Sequence, residues 1–294
     1  MKTLNEWLIQ KKCINLFPTN DIASWIKFSE YNFIYDKLSL AQLQNLECAP
    51  LPISPQQFPV IVKPIINLYG MSRGLKKINN YEEFILIKEN GYFWEKYLDG
   101  DQYNYDLVIE NGKIIDSFCY HSMPLNEGTF LYHKYIKKNI PLNIIKLIET
   151  LMIDYTGFMN IELIDGYIIE AHLRLNGDFF IFNEIMVDNF INFIKNGIYT
   201  FYDTFHEITP KTFFPIFIKT AKQNISPELN ISPEYIMRVS HVSFNILEKW
   251  NIDYNIDNIN SETQGDIYKR LLYFTCNNHE LGLSIQKEIY LNIL

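Results

Sequence analysis

Two glutamates, a histidine and an arginine crowd into one short stretch of this chain. Its arms are Asn160-Ile161-Glu162-Leu163 and Ile168-Ile169-Glu170-Ala171-His172-Leu173-Arg174, and Ile164-Asp165-Gly166-Tyr167 joins them. An Asp-Gly pair between alternating arms predicts a β-hairpin. Side chains repeat with period two, so Asn160, Glu162, Glu170, His172 and Arg174 share one face. The apolar neighbours Ile161, Leu163, Ile168 and Ile169 bury the other. Paired carboxylates offer hard oxygen ligands to Mg²⁺, and a guanidinium beside them takes an anionic oxygen, which together suit a metal–polyphosphate site. The competing reading is a structural ion-pair network. His172 is either part of the metal shell or a packed histidine bonded to a carboxylate; we expect it to hydrogen-bond Glu170 or a metal-bound water.

The elements that must position these residues are legible in outline. Helices are expected near Asp21–Ser29, over 36–47, over Tyr81–Glu89 with Asn80 as N-cap and Glu83 at the third position, and over Pro141–Tyr155. Pro50, Pro52, Pro55 and Pro59 enforce an extended connector. Strands are expected at Phe58–Pro64, ending in Lys63, and at Tyr92–Leu98. Asn104–Glu110 and Lys113–Tyr120 form a hairpin around Asn111-Gly112. Beyond the central hairpin come a helix over Phe182–Gly197, a strand at Phe214–Lys219, a helix near Pro233–Trp250, a strand at Tyr268–Thr275 and a last helix near Glu280–Leu291. Interleaved strands and helices argue for an α/β or α+β architecture.

Composition excludes several function classes. The chain has 294 residues, 48% of them hydrophobic, and a net charge of −8. That is enough for a sizeable core or two lobes. No Lys/Arg block appears, so no nucleic-acid partner is expected. No apolar run approaches the roughly 20 residues of a spanning helix, and the N-terminus shows no signal-peptide core. Cys13, Cys48, Cys119 and Cys276 lack metal or disulfide spacing and read as reduced thiols, which implies a cytoplasmic protein.

The ordered motifs resemble the ATP-grasp superfamily over roughly Tyr35 to Asp178, which implies an α+β fold of two α/β lobes with the nucleotide between them. Lys37, after Asp36, and Lys63 resemble its two phosphate-binding lysines. Gly70-Met71-Ser72-Arg73-Gly74 resembles the loop that closes over a triphosphate, with Ser72, Arg73 and Gly74 at its heart. Glu95-Lys96-Tyr97-Leu98 resembles the hinge that reads adenine with main-chain groups. Leu98 would pack on the base, and Glu95, Asp101 or Gln102 would accept from the ribose or the exocyclic amine. Glu162 and Glu170 match the two metal-bridging carboxylates, and Arg174 matches an arginine at the reacting phosphate or substrate carboxylate. His172 stands where the family carries Asn, and imidazole suits Mn²⁺ better than Mg²⁺. Asn176-Gly177-Asp178 falls where the family has a small-residue turn.

The resemblance implies ATP and Mg²⁺, with Mn²⁺ as the alternative. It implies an ATP-dependent ligase that activates a carboxylate as an acyl phosphate for attack by an amine, with Arg174 and Lys63 as its catalytic residues. A kinase, a carboxylase-like enzyme and a degenerate nucleotide-binding module with a partner are the alternatives. The domain expectation is a shortened N-terminal segment at 1–35, a first lobe at 36–110 and a second lobe at 111–294. Small-molecule carboxylate and amine substrates are the expected partners, and a homodimer or a partner subunit is left open.

Overall fold

Alternating strands long enough to bury one face need a layer packed against it, and on the larger of the two sheets here helices supply it. The computed structural model describes residues 4–70, 72–126, 129–176, 183–201, 212–219, 233–252, 254–256 and 268–293. Helices α1 (Leu4–Gln10) and α2 (Asp21–Lys27), a 3₁₀ segment (Ser29–Tyr35) and helix α3 (Lys37–Leu43) open the chain. Strands β1 (Cys48–Pro50), β2 (Val60–Pro64) and β3 (Lys76–Ile78), helix α4 (Tyr81–Phe84) and strand β4 (Tyr92–Lys96) follow. The smaller sheet has the order β1-β4-β2-β3.

The larger sheet is built from β5 (Gln102–Glu110), β6 (Lys113–Asn126), β7 (Thr129–Ile136), β8 (Gly157–Ile164), β9 (Tyr167–His172), β10 (Thr212–Lys219), β11 (Tyr254–Ile256) and β12 (Tyr268–Cys276). Its eight strands run in the order β11-β12-β10-β7-β6-β5-β8-β9, and every pairing is antiparallel. Helices α5 (Leu142–Leu151), α6 (Glu184–Asn196), α7 (Pro233–Lys249) and α8 (His279–Ile293) complete the chain. Among the described residues no helix is long and apolar enough to cross a membrane.

Strand parity decides what each face of the large sheet does. Tyr105, Leu107, Met159, Ile161 and Leu163 point to one face and pack with Ile144 and Ile148 of α5. Phe214, Ile216, Leu272 and Phe274 continue that face beneath α7 and α8. Burying each such side chain stabilises the fold by about 1.5–3 kcal/mol, so this face holds the sheet together. On the opposite face Val108, Phe118 and Phe158 pack with Met186 and Phe190 of α6. Further along that face the residues turn polar: Gln102, Asn104, Asp106, Asn160 and Ser122 are buried there. Burying such groups is costly unless they are paired, so this polar stretch marks where the sheet faces a cleft.

Several expectations shift at their edges. The helix over 36–47 shortens to α3, and the one over Tyr81–Glu89 shortens to α4, where Asn80 accepts from the Glu83 amide as expected. The proline-rich connector contains β1, paired with β4. Strand β7 was not anticipated; it is irregularly paired with β6, with register shifts at Met123/Pro124 and Pro124/Asn126. The boundary expected at residue 110 falls inside the larger sheet, because β5 pairs with β6 and β8 and the smaller sheet ends at Lys96. Met71, Gly177, Asp178 and Phe182 lie outside the described residues.

Candidate active site

The central hairpin turns as its sequence demands. Asp165 and Gly166 both take left-handed φ, 51° and 77°, the pairing that a two-residue hairpin turn requires. Glu162 sits directly across from Glu170, and Asn160 across from His172, so the predicted polar face exists. Strict alternation fails at one point: the register shifts between Glu162 and Leu163, which leaves Ile169 as an extra residue on β9. That bulge has a use. The Ile169 carbonyl accepts a hydrogen bond from Lys63 Nζ at 2.9 Å. The open edge of β9 is also occupied, since the Gln44 carboxamide bonds both the amide and the carbonyl of Ile168, at 2.7 and 3.0 Å.

Glu162, Glu170 and His172 each present one ligand atom, and the three atoms lie within 4.8 Å of one another. Cations surround them. Lys37, buried at the start of α3, pairs with Glu170 Oε1 at 2.9 Å. Asp36 caps that helix by accepting from the Ser39 amide, which fixes where Lys37 starts. Lys63 pairs with Glu95 Oε1 at 2.7 Å, and both are buried. Gln102 donates to Glu162 Oε2 at 2.8 Å. These partners set unequal affinities for protons. Desolvation and the adjacent Glu170 charge push Glu162 up to about 7. At Glu170 desolvation also pulls upward, but Lys37 and His172 outweigh it and hold that carboxyl below its ordinary range.

The N-terminal segment contributes a residue that the sequence did not point to. Asp21, buried at the first position of α2, accepts from Arg174 Nε and Nη2 at 2.8 Å each. Its Oδ1 also lies 3.0 Å from His172 Nδ1. The expected His172–Glu170 hydrogen bond is therefore corrected: the bond goes to Asp21, and His172 Nε2 stands 3.8 Å from Glu170 Oε1. A carboxylate on one ring nitrogen orients the other toward a metal and sets its tautomer. Burial alone would raise Asp21, but His172 and Arg174 pull its carboxyl far below the ordinary value. Asp21 had no local signal, because its partners are about 150 residues away in sequence.

Asp106 was also missed. It is completely buried and accepts from Asn160 Nδ2 at 2.9 Å and from the Asn176 amide at 2.8 Å. Desolvation dominates there and lifts its carboxyl to about 6. Its parity with Gln102 and Asn104 on one strand face was the signal available.

The remaining expected residues divide. A cleft of about 870 Å³ between the sheets is lined by Lys37, Lys63, Glu95, Lys96, Leu98 and Gln102, by Ser72 and Arg73, and by Glu162, Glu170, His172 and Arg174. Gly74 is not among the lining residues. It turns the loop at φ 76°, where a Cβ would run into the Tyr92 hydroxyl. Glu95 is committed to Lys63, and Gln102 to Glu162, which places Gln102 beside the carboxylates instead of at the hinge. The Lys96 and Tyr97 amides bond the Glu47 and Pro59 carbonyls at 2.8 and 3.4 Å, so both are engaged within the small sheet.

No family model and no curated protein matches this sequence. Solved structures do resemble it. Carboxyaminoimidazole ribonucleotide synthase from Aspergillus clavatus, in complex with ATP, is 11% identical with a TM-score of 0.62, over 89% of this chain and 73% of that one. N5-carboxyaminoimidazole synthetase from Staphylococcus aureus, complexed with ADP, is 12% identical with a TM-score of 0.58, over 89% and 72%. L-amino acid ligase from Bacillus licheniformis is 12% identical with a TM-score of 0.51, over 89% and 71%. With its two sheets facing each other across a cleft, and these neighbours matching most of its length, the chain has the ATP-grasp fold.

Proposed function

We propose that the chain is an ATP-dependent ligase that joins a carboxylate to an amine through an acyl phosphate. One observation carries this reading. Lys37 and Lys63, from separate elements, meet Glu162, Glu170 and His172 on one wall of a cleft large enough for a nucleotide. In this reading a substrate carboxylate oxygen attacks the γ-phosphorus of ATP and ADP leaves. The amine nitrogen then attacks the acyl carbon, and phosphate leaves. Positioning and charge neutralisation are the protein's work.

Lys63 is held by Glu95 and the Ile169 carbonyl. An ammonium has three donors, and the third is the one it would direct at a phosphate oxygen. Lys37 would exchange part of its Glu170 contact for phosphate. Ser72 and Arg73, on the loop between β2 and β3, would cover the triphosphate, and Leu98 would pack against the base. Arg174, oriented by Asp21, would stabilise charge on the transferred phosphoryl group. Two carboxylates and an imidazole fit a divalent cation, and the imidazole favours Mn²⁺ over Mg²⁺. When bound there, such a cation would neutralise phosphate oxygens.

The similar structures include carboxyaminoimidazole synthases as well as an amino acid ligase, at overlapping TM-scores of 0.51–0.62 and 0.51, and a carboxylase-like enzyme is the second reading. Both readings meet one experiment: ATP, Mg²⁺ or Mn²⁺, and panels of carboxylates and amines, followed by phosphate release and product mass. An amide mass supports the ligase, and a carbamate mass supports carboxylation. Absence of nucleotide binding by calorimetry refutes both.

A further inference from the structure

The polar row at the metal-type cluster does not end there; it continues across the large sheet into an aromatic shelf. Glu162 is paired with Asn104 on β5, Gln102 with Ser122 on β6, Ser122 with His133 on β7, and His133 with Phe213 on β10. Directly paired residues share a face, so these side chains all belong to the cleft side. Phe130, His133 and Phe213 line the cleft at this end. The Phe130 and His133 rings lie 4.6 Å apart and His133 and Phe213 5.7 Å, and the Arg270 guanidinium lies over the Phe213 ring at 5.8 Å.

The orientation of His133 is built in. Asn104 Nδ2 donates to Ser122 Oγ at 2.6 Å, and Ser122 Oγ lies 2.7 Å from His133 Nδ1. Ser122 is completely buried. Its contact with His133 Nδ1 fixes the plane of the imidazole, so the ring serves as a platform.

One buried polar atom in this row, Asn104 Oδ1, has no hydrogen-bond partner among the described residues. Asn104 lines the cleft and is at least nine-tenths buried. An orphaned group of this kind needs a polar partner. Strands lie about 4.8 Å apart, so the shelf on β7 stands about 14 Å from Glu162 on β8. A phosphoryl group followed by a small aromatic molecule spans such a gap.

We infer that this shelf holds the aromatic ring of the second substrate, an aromatic amino acid, with its amine directed toward Asn104. The inference rests on the ligase reading for its place in the reaction, and on the row of side chains for the ligand's chemistry. Aromatic rings stack on such platforms in offset or edge-on contacts.

The test is direct binding of L-phenylalanine, L-alanine and 3-phenylpropanoate to the whole chain, by calorimetry and by saturation-transfer NMR, with ATP binding measured separately. L-Phenylalanine is expected to bind about 30-fold tighter than L-alanine, the gain from burying a ring. It should also bind more tightly than 3-phenylpropanoate, which lacks the amine, and its ring protons should take up most saturation. Phe130→Ala should erase most of the preference for the ring, and Phe130→Leu should keep part of it; a thermal melt shows that each is folded. Equal binding of L-alanine and L-phenylalanine overturns the inference, and ATP binding in that same sample leaves the ligase reading intact. Ring-selective binding without ATP binding upholds the shelf and removes the ligase.

Discussion

Replacing Asp21 with Asn tests the architecture of the site most sharply. The side chain keeps its shape and loses its charge. In the native chain the Asp21 carboxylate accepts from Arg174 twice at 2.8 Å and lies 3.0 Å from His172 Nδ1, with 5% of its surface exposed. An amide there turns one of its two ends into a donor facing a guanidinium donor. Breaking a buried pair by removing one partner costs about 3–5 kcal/mol, and we expect the lower end, because Arg174 retains some contact with water. Urea denaturation at pH 7 should register this as a lower midpoint at unchanged m-value. The pH dependence supplies a second check. Asp21 has a folded-state pKa well below its ordinary 3.8, so the unfolded chain binds more protons there. Its stabilisation is complete above the unfolded value and disappears as pH falls through the folded one. The gap between wild type and variant should therefore narrow as pH falls below about 4. A variant within about 0.5 kcal/mol of wild type at pH 7 would place Asp21 among ordinary surface substitutions and refute the clamp.

Asp106 has the opposite sign: its carboxyl is raised to about 6 from 3.8, so its stabilising protonated form is lost as pH climbs through 6. Asp106→Asn should flatten stability between pH 4 and 7 and gain about 3 kcal/mol at pH 7 on the scale of 1.36 kcal/mol per unit; a variant with the wild-type pH profile by denaturation would contradict this. Lys63→Met combined with Glu95→Gln removes the buried pair together, so that no lone charge remains. ATP affinity by calorimetry should fall by about 1.5–3 kcal/mol, and an unchanged Kd would show that β2 does not end at the phosphates. His172→Asn should weaken Mn²⁺ binding, followed by electron paramagnetic resonance, more than Mg²⁺ binding, because only Mn²⁺ gains from imidazole; equal losses would make His172 a packing residue.

The sequence by itself determined much of the local structure. The Asp165-Gly166 turn, the alternation around Glu162 and Glu170, the Asn80 cap and the strand ending at Lys63 depend on backbone preferences and period-two patterning, which act over a few residues. For the same reason the pairing of Glu162 with Glu170 was legible, since the two residues are joined by one tight turn. The shared parity of Gln102, Asn104 and Asp106 was equally local, although an isolated Asp on a strand does not announce that it is buried.

Only the tertiary structure decided which groups meet from different parts of the chain. Asp21 reaches Arg174 and His172, Lys37 reaches Glu170, and Gln44 occupies the edge of β9, each across more than a hundred residues. No spacing rule covers such contacts, because they depend on how the layers pack. The bulge at Ile169 is of the same kind: β9 has to carry one residue more than β8 for its carbonyl to face Lys63. Strand β7 and the row from Ser122 through His133 to Phe213 likewise became visible once sheet order was known, since neighbours across a sheet are set by register and not by distance along the chain.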